Sequence, residues 1–150
     1  MAGARRATAT RSSGATVSAL TPRRLLLDTH TWLWLQSDDL RLGARTRLLI
    51  QHASEVRFSA VSAWEIAIKI SIGKLTLPPD ADINAELELS GFLSLPIEIA
   101  HADHVRQLAL LHRDPFDRLL VAQAIVEGLT LVTADTQLAG YGVSVADARL

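Results

Sequence analysis

Three consecutive leucines, Leu25 to Leu27, stop abruptly at Asp28. A short, unbroken apolar run closed by a charge predicts a strand buried on both faces. THTWLWLQ then leads into a helix carrying Trp32, Leu33 and Leu35, and SDDLRLGARTRLLIQHA predicts a second helix, capped by Ser37 or Asp38 and buried through Leu48 and Leu49. Val56, Phe58 and Ala60 alternate as in a second strand. Ser62 is a candidate N-cap for the next helix, with Glu65 three residues on as in a capping box. Gly73 is a candidate helix stop, and Pro78–Pro79 breaks any longer element. A short helix runs from Asp80 through Asn84–Leu89; GFLSLPIEI is strand-like up to Pro96, and residues 100–111 are again helical. The strongest signal comes last. Asp114 caps a helix that admits Pro115 in its first turn, Leu119, Leu120, Ala122, Ala124, Ile125 and Val126 give a broad buried face, and Gly128 closes it before a strand at residues 129–132. Strands alternating with helices predict an α/β fold whose central, mainly parallel sheet is flanked by helices. Such sheets bind ligands beyond the carboxyl ends of their strands, where Asp28 falls.

The chain has 150 residues, of which 49% are hydrophobic, enough for one domain with a core and too many for a wholly disordered chain. It has no cysteine, so disulfides and thiolate metal sites are excluded. No apolar run is long enough to span a bilayer, and the N-terminus lacks the sustained apolar core of a secretory signal. Residues 1–22, rich in Ala, Thr, Ser, Gly and Arg, are expected to be a flexible basic tail, with residues 23–150 the folded domain. The net charge of −1 hides an asymmetry. Arg5, Arg6, Arg11, Arg23 and Arg24 all precede Asp28, and the remainder of the chain carries about −6. The folded body is therefore acidic, which argues against a broad nucleic-acid-binding surface but not against an acidic metal site that acts on one.

Asp28, Glu65, Asp117 and Asp135 fall where an α/β sheet would gather them: after a strand, in a helix, at a helix start and after a strand. Carboxylates sharing one pocket repel one another, and a hard divalent cation relieves that repulsion with oxygen ligands. Asp28, Asp117 and Asp135 are the candidate ligands of Mg2+, with Mn2+ a plausible substitute, and Glu65 acts directly or through a water. Asp114 and Thr133 are candidate supporting groups. The chemistry this implies is metal-assisted phosphodiester cleavage. Each acid also has a plainer reading: Asp28 as a helix cap, Glu65 as half of the capping box, Asp117 sharing a helix start with Asp114, and Asp135 as a turn acceptor. The histidines add little: His101 and His104 lack the further ligands of a zinc-protease motif, and His52 and His112 show no compelling arrangement. Trp32, Trp34 and Trp64 lie in helical apolar patterns that favour core or interface packing over base stacking.

In combination, LLLDTHTWLW, FSAVSAWEIAIKISIGKL, RDPFDRLLVAQA and LVTAD resemble, in order, the motifs of the PIN-domain family, and specifically of VapC-type toxin ribonucleases from type II toxin–antitoxin systems. The resemblance covers roughly residues 25–145. It implies a PIN-like fold and a cytoplasmic, magnesium-dependent endoribonuclease that inhibits translation, with Asp28, Glu65, Asp117 and Asp135 as its acids. It also implies a cognate VapB-type antitoxin, a homodimer, and operator DNA bound only through the antitoxin. Rival readings are a catalytically inactive PIN-like interaction domain, or a metal-dependent nuclease or phosphatase with another substrate. Trp32, Trp34, Leu35, Ile66, Ile68, Ile70 and Ile72 exceed what one helix stripe hides, so some are expected to line a partner surface.

Overall fold

The leucine run forms the central strand of a five-stranded sheet in the computed structural model, which describes residues 23–150. The expected basic tail, residues 1–22, lies outside the described residues. The strands are β1 (Arg24–Leu27), β2 (Glu55–Ser59), β3 (Leu93–Leu95), β4 (Thr130–Thr133) and β5 (Val145–Asp147), in the order β3-β2-β1-β4-β5. All four pairings are parallel. Leu27 stands opposite Phe58 on one side and Val132 on the other, so β1, β2 and β4 end at a common edge.

Both faces of the sheet are covered, as an all-parallel sheet requires. Leu25 and Leu27 point into a core with Trp32, Phe58, Ile66, Leu87 and Val132, while Leu26 points the other way, among Val61, Leu120, Val121 and Leu131. The first face is covered by α1 (Thr29–Gln36), α2 (Ala44–Gln51) and α4 (Ile83–Ser90), with Ile66 of α3 (Ala60–Ser71). The second is covered chiefly by α6 (Pro115–Glu127), against which α5 (Ile99–His104) packs. Gly73 and Gly128, both at positive φ, end α3 and α6 as their positions predict.

Several local expectations are corrected. Strand β2 runs into α3 without a loop, so the last strand residue, Ser59, is the N-cap; its Oγ accepts the Val61 N–H at 3.0 Å. Ser62 is therefore inside the helix, and the Ser62–Glu65 capping box does not form. Ala60 starts the helix instead of continuing the strand. Ser37 closes α1, and α2 starts only after Gly43, which turns Thr46 and Ile50 inward and leaves Leu48 half exposed. The helix expected at residues 100–111 stops earlier: α5 gives way to a 3₁₀ turn at Val105–Gln107. Val126, expected on the buried face, is 41% exposed. The last strand, β5, is three residues of mixed polarity at an edge and has no distinct pattern in the chain.

The central strand predicts its own sensitivity. Leu26→Ala is expected to lower unfolding stability in urea by about 2–5 kcal/mol, since Leu26 is fully buried between packed neighbours. Leu40→Ala, at a side chain 95% exposed, should stay within about 0.5 kcal/mol.

Candidate active site

The strand order reverses at β1. The chain builds outward through β2 and β3, then returns to place β4 and β5 on the opposite side. In an open parallel sheet this reversal leaves a crevice beyond the carboxyl ends of the two diverging strands, here β1 and β4. Asp28 comes directly after β1, and its backbone N–H donates to the Val132 carbonyl of β4 at 3.0 Å. Helices that connect parallel strands start at that same edge, so α1, α3 and α6 all open onto the crevice.

Most of the acids there are tied down through one oxygen. Asp28 Oδ1 accepts the Thr31 N–H at 2.8 Å and so caps α1. Asp114 Oδ1 accepts the N–H groups of Phe116 and Asp117 at 2.8 and 3.3 Å and caps α6. Asp135 Oδ1 accepts the Gln137 N–H at 3.2 Å at the start of a 3₁₀ turn, Thr136–Tyr141. Helix starts favour negative charge, so these caps offset part of the repulsion while leaving the second oxygen free to point elsewhere. The plain reading of Asp28 as a cap is thus correct, and it is compatible with a place in the pocket.

Glu65 is buried, its Oε1 accepting from Thr29 Oγ1 at 2.6 Å and its Oε2 paired with Lys69 Nζ at 2.8 Å, one helical turn on. Ser62 Oγ lies 2.9 Å from the same Thr29 hydroxyl. Thr133, fully buried, accepts the Asp135 backbone N–H at 3.0 Å, so its hydroxyl fixes the backbone of Asp135.

Asp117 is the acid left over. Its carboxyl is pushed up to about 7, first by burial and then by the charges of Asp114, Asp28 and, after a partial offset from His112, Glu65. Asp28, Glu65, Asp114 and Asp117 therefore share one electrostatic neighbourhood although they come from distant parts of the chain. Asp135 joins them through His112, whose Nε2 lies 3.1 Å from Asp135 Oδ2 and 3.6 Å from Asp117 Oδ2. Ligand atoms of His112, Asp117 and Asp135 all lie within 4.8 Å of one another.

His112 has no telling arrangement in the sequence, yet it bridges two of the acids. Its Nδ1 accepts the Asp114 backbone N–H at 3.1 Å, which assigns the ring proton of the neutral imidazole to Nε2. The Nε2–H then donates to Asp135. In this arrangement His112 is a clamp on the carboxylates and not itself an ion ligand, since ligation through Nε2 would require that proton to leave. Oxygen donors alone remain, the set that suits a hard divalent ion. The group most in want of positive charge is the Asp117 carboxyl.

A family model described as PIN domain matches residues 25–143, most of the chain. The chain belongs to the PIN domain family. This PIN domain is 29% identical over 119 residues to Ribonuclease VapC22 of Mycobacterium tuberculosis, a match covering 78% of the chain and 91% of that protein. Solved structures share the fold. VapBC2 from Rickettsia felis bound to a promoter DNA fragment superposes with a TM-score of 0.62 at 15% identity, covering 82% of this chain and 97% of that one. DNA-bound VapBC from Salmonella typhimurium gives 0.63 at 20% identity, with coverages of 83% and 98%. At these identities the likeness shows the fold alone.

The raised Asp117 predicts a pH dependence with a definite sign. Between the ordinary value of 3.8 and about 7 the folded domain holds a proton that the unfolded chain has released. Stability of the ion-free protein should therefore fall as pH rises from about 4 to 7 and level off above. Asp117→Asn removes this loss. In urea titrations at pH 8 without divalent ions the variant should be more stable than the parent, on the order of 2–4 kcal/mol, and near pH 4 the two should converge.

Proposed function

We propose that this PIN domain is a metal-dependent endoribonuclease toxin that cuts RNA, inhibits translation and is neutralised by a cognate VapB-type antitoxin. The observation that carries the reading is the gathering of four acids at the crevice beside β1, where burial first and then the charges of Asp114, Asp28 and Glu65 push the Asp117 carboxyl up to about 7. A protein that places charge so unfavourably, at the ligand-binding edge of its sheet, has a site adapted to a cation. Kinship with a protein named a ribonuclease supports the substrate class. Fold neighbours solved as DNA-bound VapBC complexes, one of them on a promoter fragment, support a VapB-type antitoxin, with operator DNA reached through it. A homodimer and a cytoplasmic location belong to the same reading. No helix among the described residues is long and apolar enough to cross a membrane.

Asp28, Asp117 and Asp135 would hold Mg2+, or Mn2+ in its place: Asp28 through the oxygen its cap leaves, Asp117 through its uncapped carboxylate, and Asp135 through the oxygen that His112 also approaches. Bound there, the ion supplies Lewis acidity toward a phosphate and lowers the pKa of a coordinated water. The residues do the rest. Asp117 gives up its proton on loading. His112 holds the Asp135 carboxylate through its Nε2–H. Glu65, braced by Thr29 and Lys69, stands ready to accept a hydrogen bond from the attacking water. Asp114 and Thr133 support the site through side-chain oxygens that hold the backbone N–H groups of Asp117 and Asp135.

Purified protein should cleave single-stranded or structured RNA in Mg2+ or Mn2+ and stop in excess EDTA. Folded Asp28→Asn and Asp117→Asn variants should lose at least about 100-fold in rate. Cleavage that persists equally in both variants and in EDTA rejects the reading, and faster turnover of DNA or small phosphate esters would move it to another substrate. Because loading displaces the Asp117 proton, ion affinity measured by calorimetry should weaken by up to about tenfold per pH unit below pH 7.

A further inference from the structure

Trp64 departs from the other tryptophans. Trp32 and Trp34 are 3% and 7% exposed, as core residues are, whereas Trp64 is 56% exposed. It precedes Glu65 on α3, just as Phe116 precedes Asp117 on α6. Asp117 feels the charge of Glu65. One residue back on each helix, the two rings meet edge to face, their centroids 5.2 Å apart and their planes at 69°. The aromatic pair therefore joins α3 to α6 one residue from each acid, and the contact with Phe116 holds the indole while leaving it 56% exposed.

We infer that Trp64, braced by Phe116, is the platform on which a base of the RNA stacks beside the bond that is cut; this rests on the nuclease reading above. Electrostatics leaves few other ways to grip the substrate there. The body is acidic, Lys69 is spent on Glu65, Arg118 is turned to the carbonyls of Val105 and Ala109, and the exposed Arg113 beside His112 suits a phosphate and not a base. An aromatic face is a contact that an acid-ringed site does not repel, and every base has a complementary face. The surface around Trp64 does not favour an apolar protein partner. Of the residues sharing its side of α3, Ala67 and Ser71 are small and Ile68 is partly buried, while the exposed Ile70 and Ile72 diverge to either flank.

The test uses the full chain carrying Asp28→Asn in Mg2+, so that a single-stranded RNA dodecamer stays intact, and compares it with a dodecamer containing abasic positions. The intact RNA should quench tryptophan emission. Adding Trp64→Ala should abolish that quenching and weaken affinity about tenfold, the order of one base stack. Trp64→Phe, which keeps a ring, should stay within about twofold. Abasic RNA should bind more weakly to the protein with Trp64 and no differently to the Trp64→Ala protein. Quenching and affinity that ignore Trp64 overturn the inference, as does an affinity loss that coincides with a changed sedimentation coefficient, which would assign the ring to a protein contact. Cleavage by the unsubstituted protein is followed in parallel. Cleavage without Trp64-dependent binding rejects the platform alone, and Trp64-dependent binding without cleavage retains the platform and rejects hydrolysis.

Discussion

Like charges held close together at the carboxyl edge of the sheet are the constraint around which this domain is arranged. A parallel sheet brings helix starts to one edge, and helix starts tolerate carboxylates because their first N–H groups lack partners. Asp28, Asp114 and Asp135 each exploit this, with one oxygen held by the backbone. Glu65 is balanced instead by Lys69. The fold thus gathers acids and neutralises most of them by the same geometry. Asp117 receives no backbone donor and only a long approach from His112, so burial first and the residual repulsion second raise its hold on a proton. The imbalance is local, and it sits at the point where strand order reverses.

Much of this is legible in the chain because its strongest signals coincide with the site. Leu25–Leu27 reveals a doubly buried strand, and the acid that ends it falls at the ligand-binding edge without further information. Asp114, Pro115 and Gly128 delimit α6 by helix-end chemistry alone, which places Asp117 in its first turn. For Glu65 the pattern identifies the right helix and the wrong partner. A strand that becomes a helix without a loop has no turn residues to mark the join, so Ser62 resembles a cap when Ser59 is one. The role of His112 is written in no spacing. The Asp114 N–H two residues on orients the ring locally, but its contact with Asp135 joins distant parts of the chain and is a tertiary fact. The exposure of Trp64 is hidden for a similar reason: helical periodicity predicts a buried stripe, but the start of α3 decides which side of that stripe the residue falls on.

The direction in which Asp117 points depends on how α6 is rolled against the sheet. An apolar face of leucine, valine and alanine does not set this sharply, since such faces tolerate small rotations. A buried polar chain sets it instead. Ser59, at the end of β2, donates to Gln123 Oε1 on α6 at 2.5 Å, and Gln123 Nε2 donates to the Pro96 carbonyl at 3.2 Å. On the far side, His101 Nδ1 accepts the Glu98 N–H, and its Nε2 meets Glu127 Oε1 at 2.8 Å. Gln123 and His101 are both fully buried, so turning α6 would strand their polar atoms away from water at a cost of about 1–3 kcal/mol for each unmade bond. The roll of α6 is therefore fixed about two turns from Asp117. Directional bonds between β2, α5 and α6 keep that carboxyl among its neighbours despite the repulsion that would swing it away.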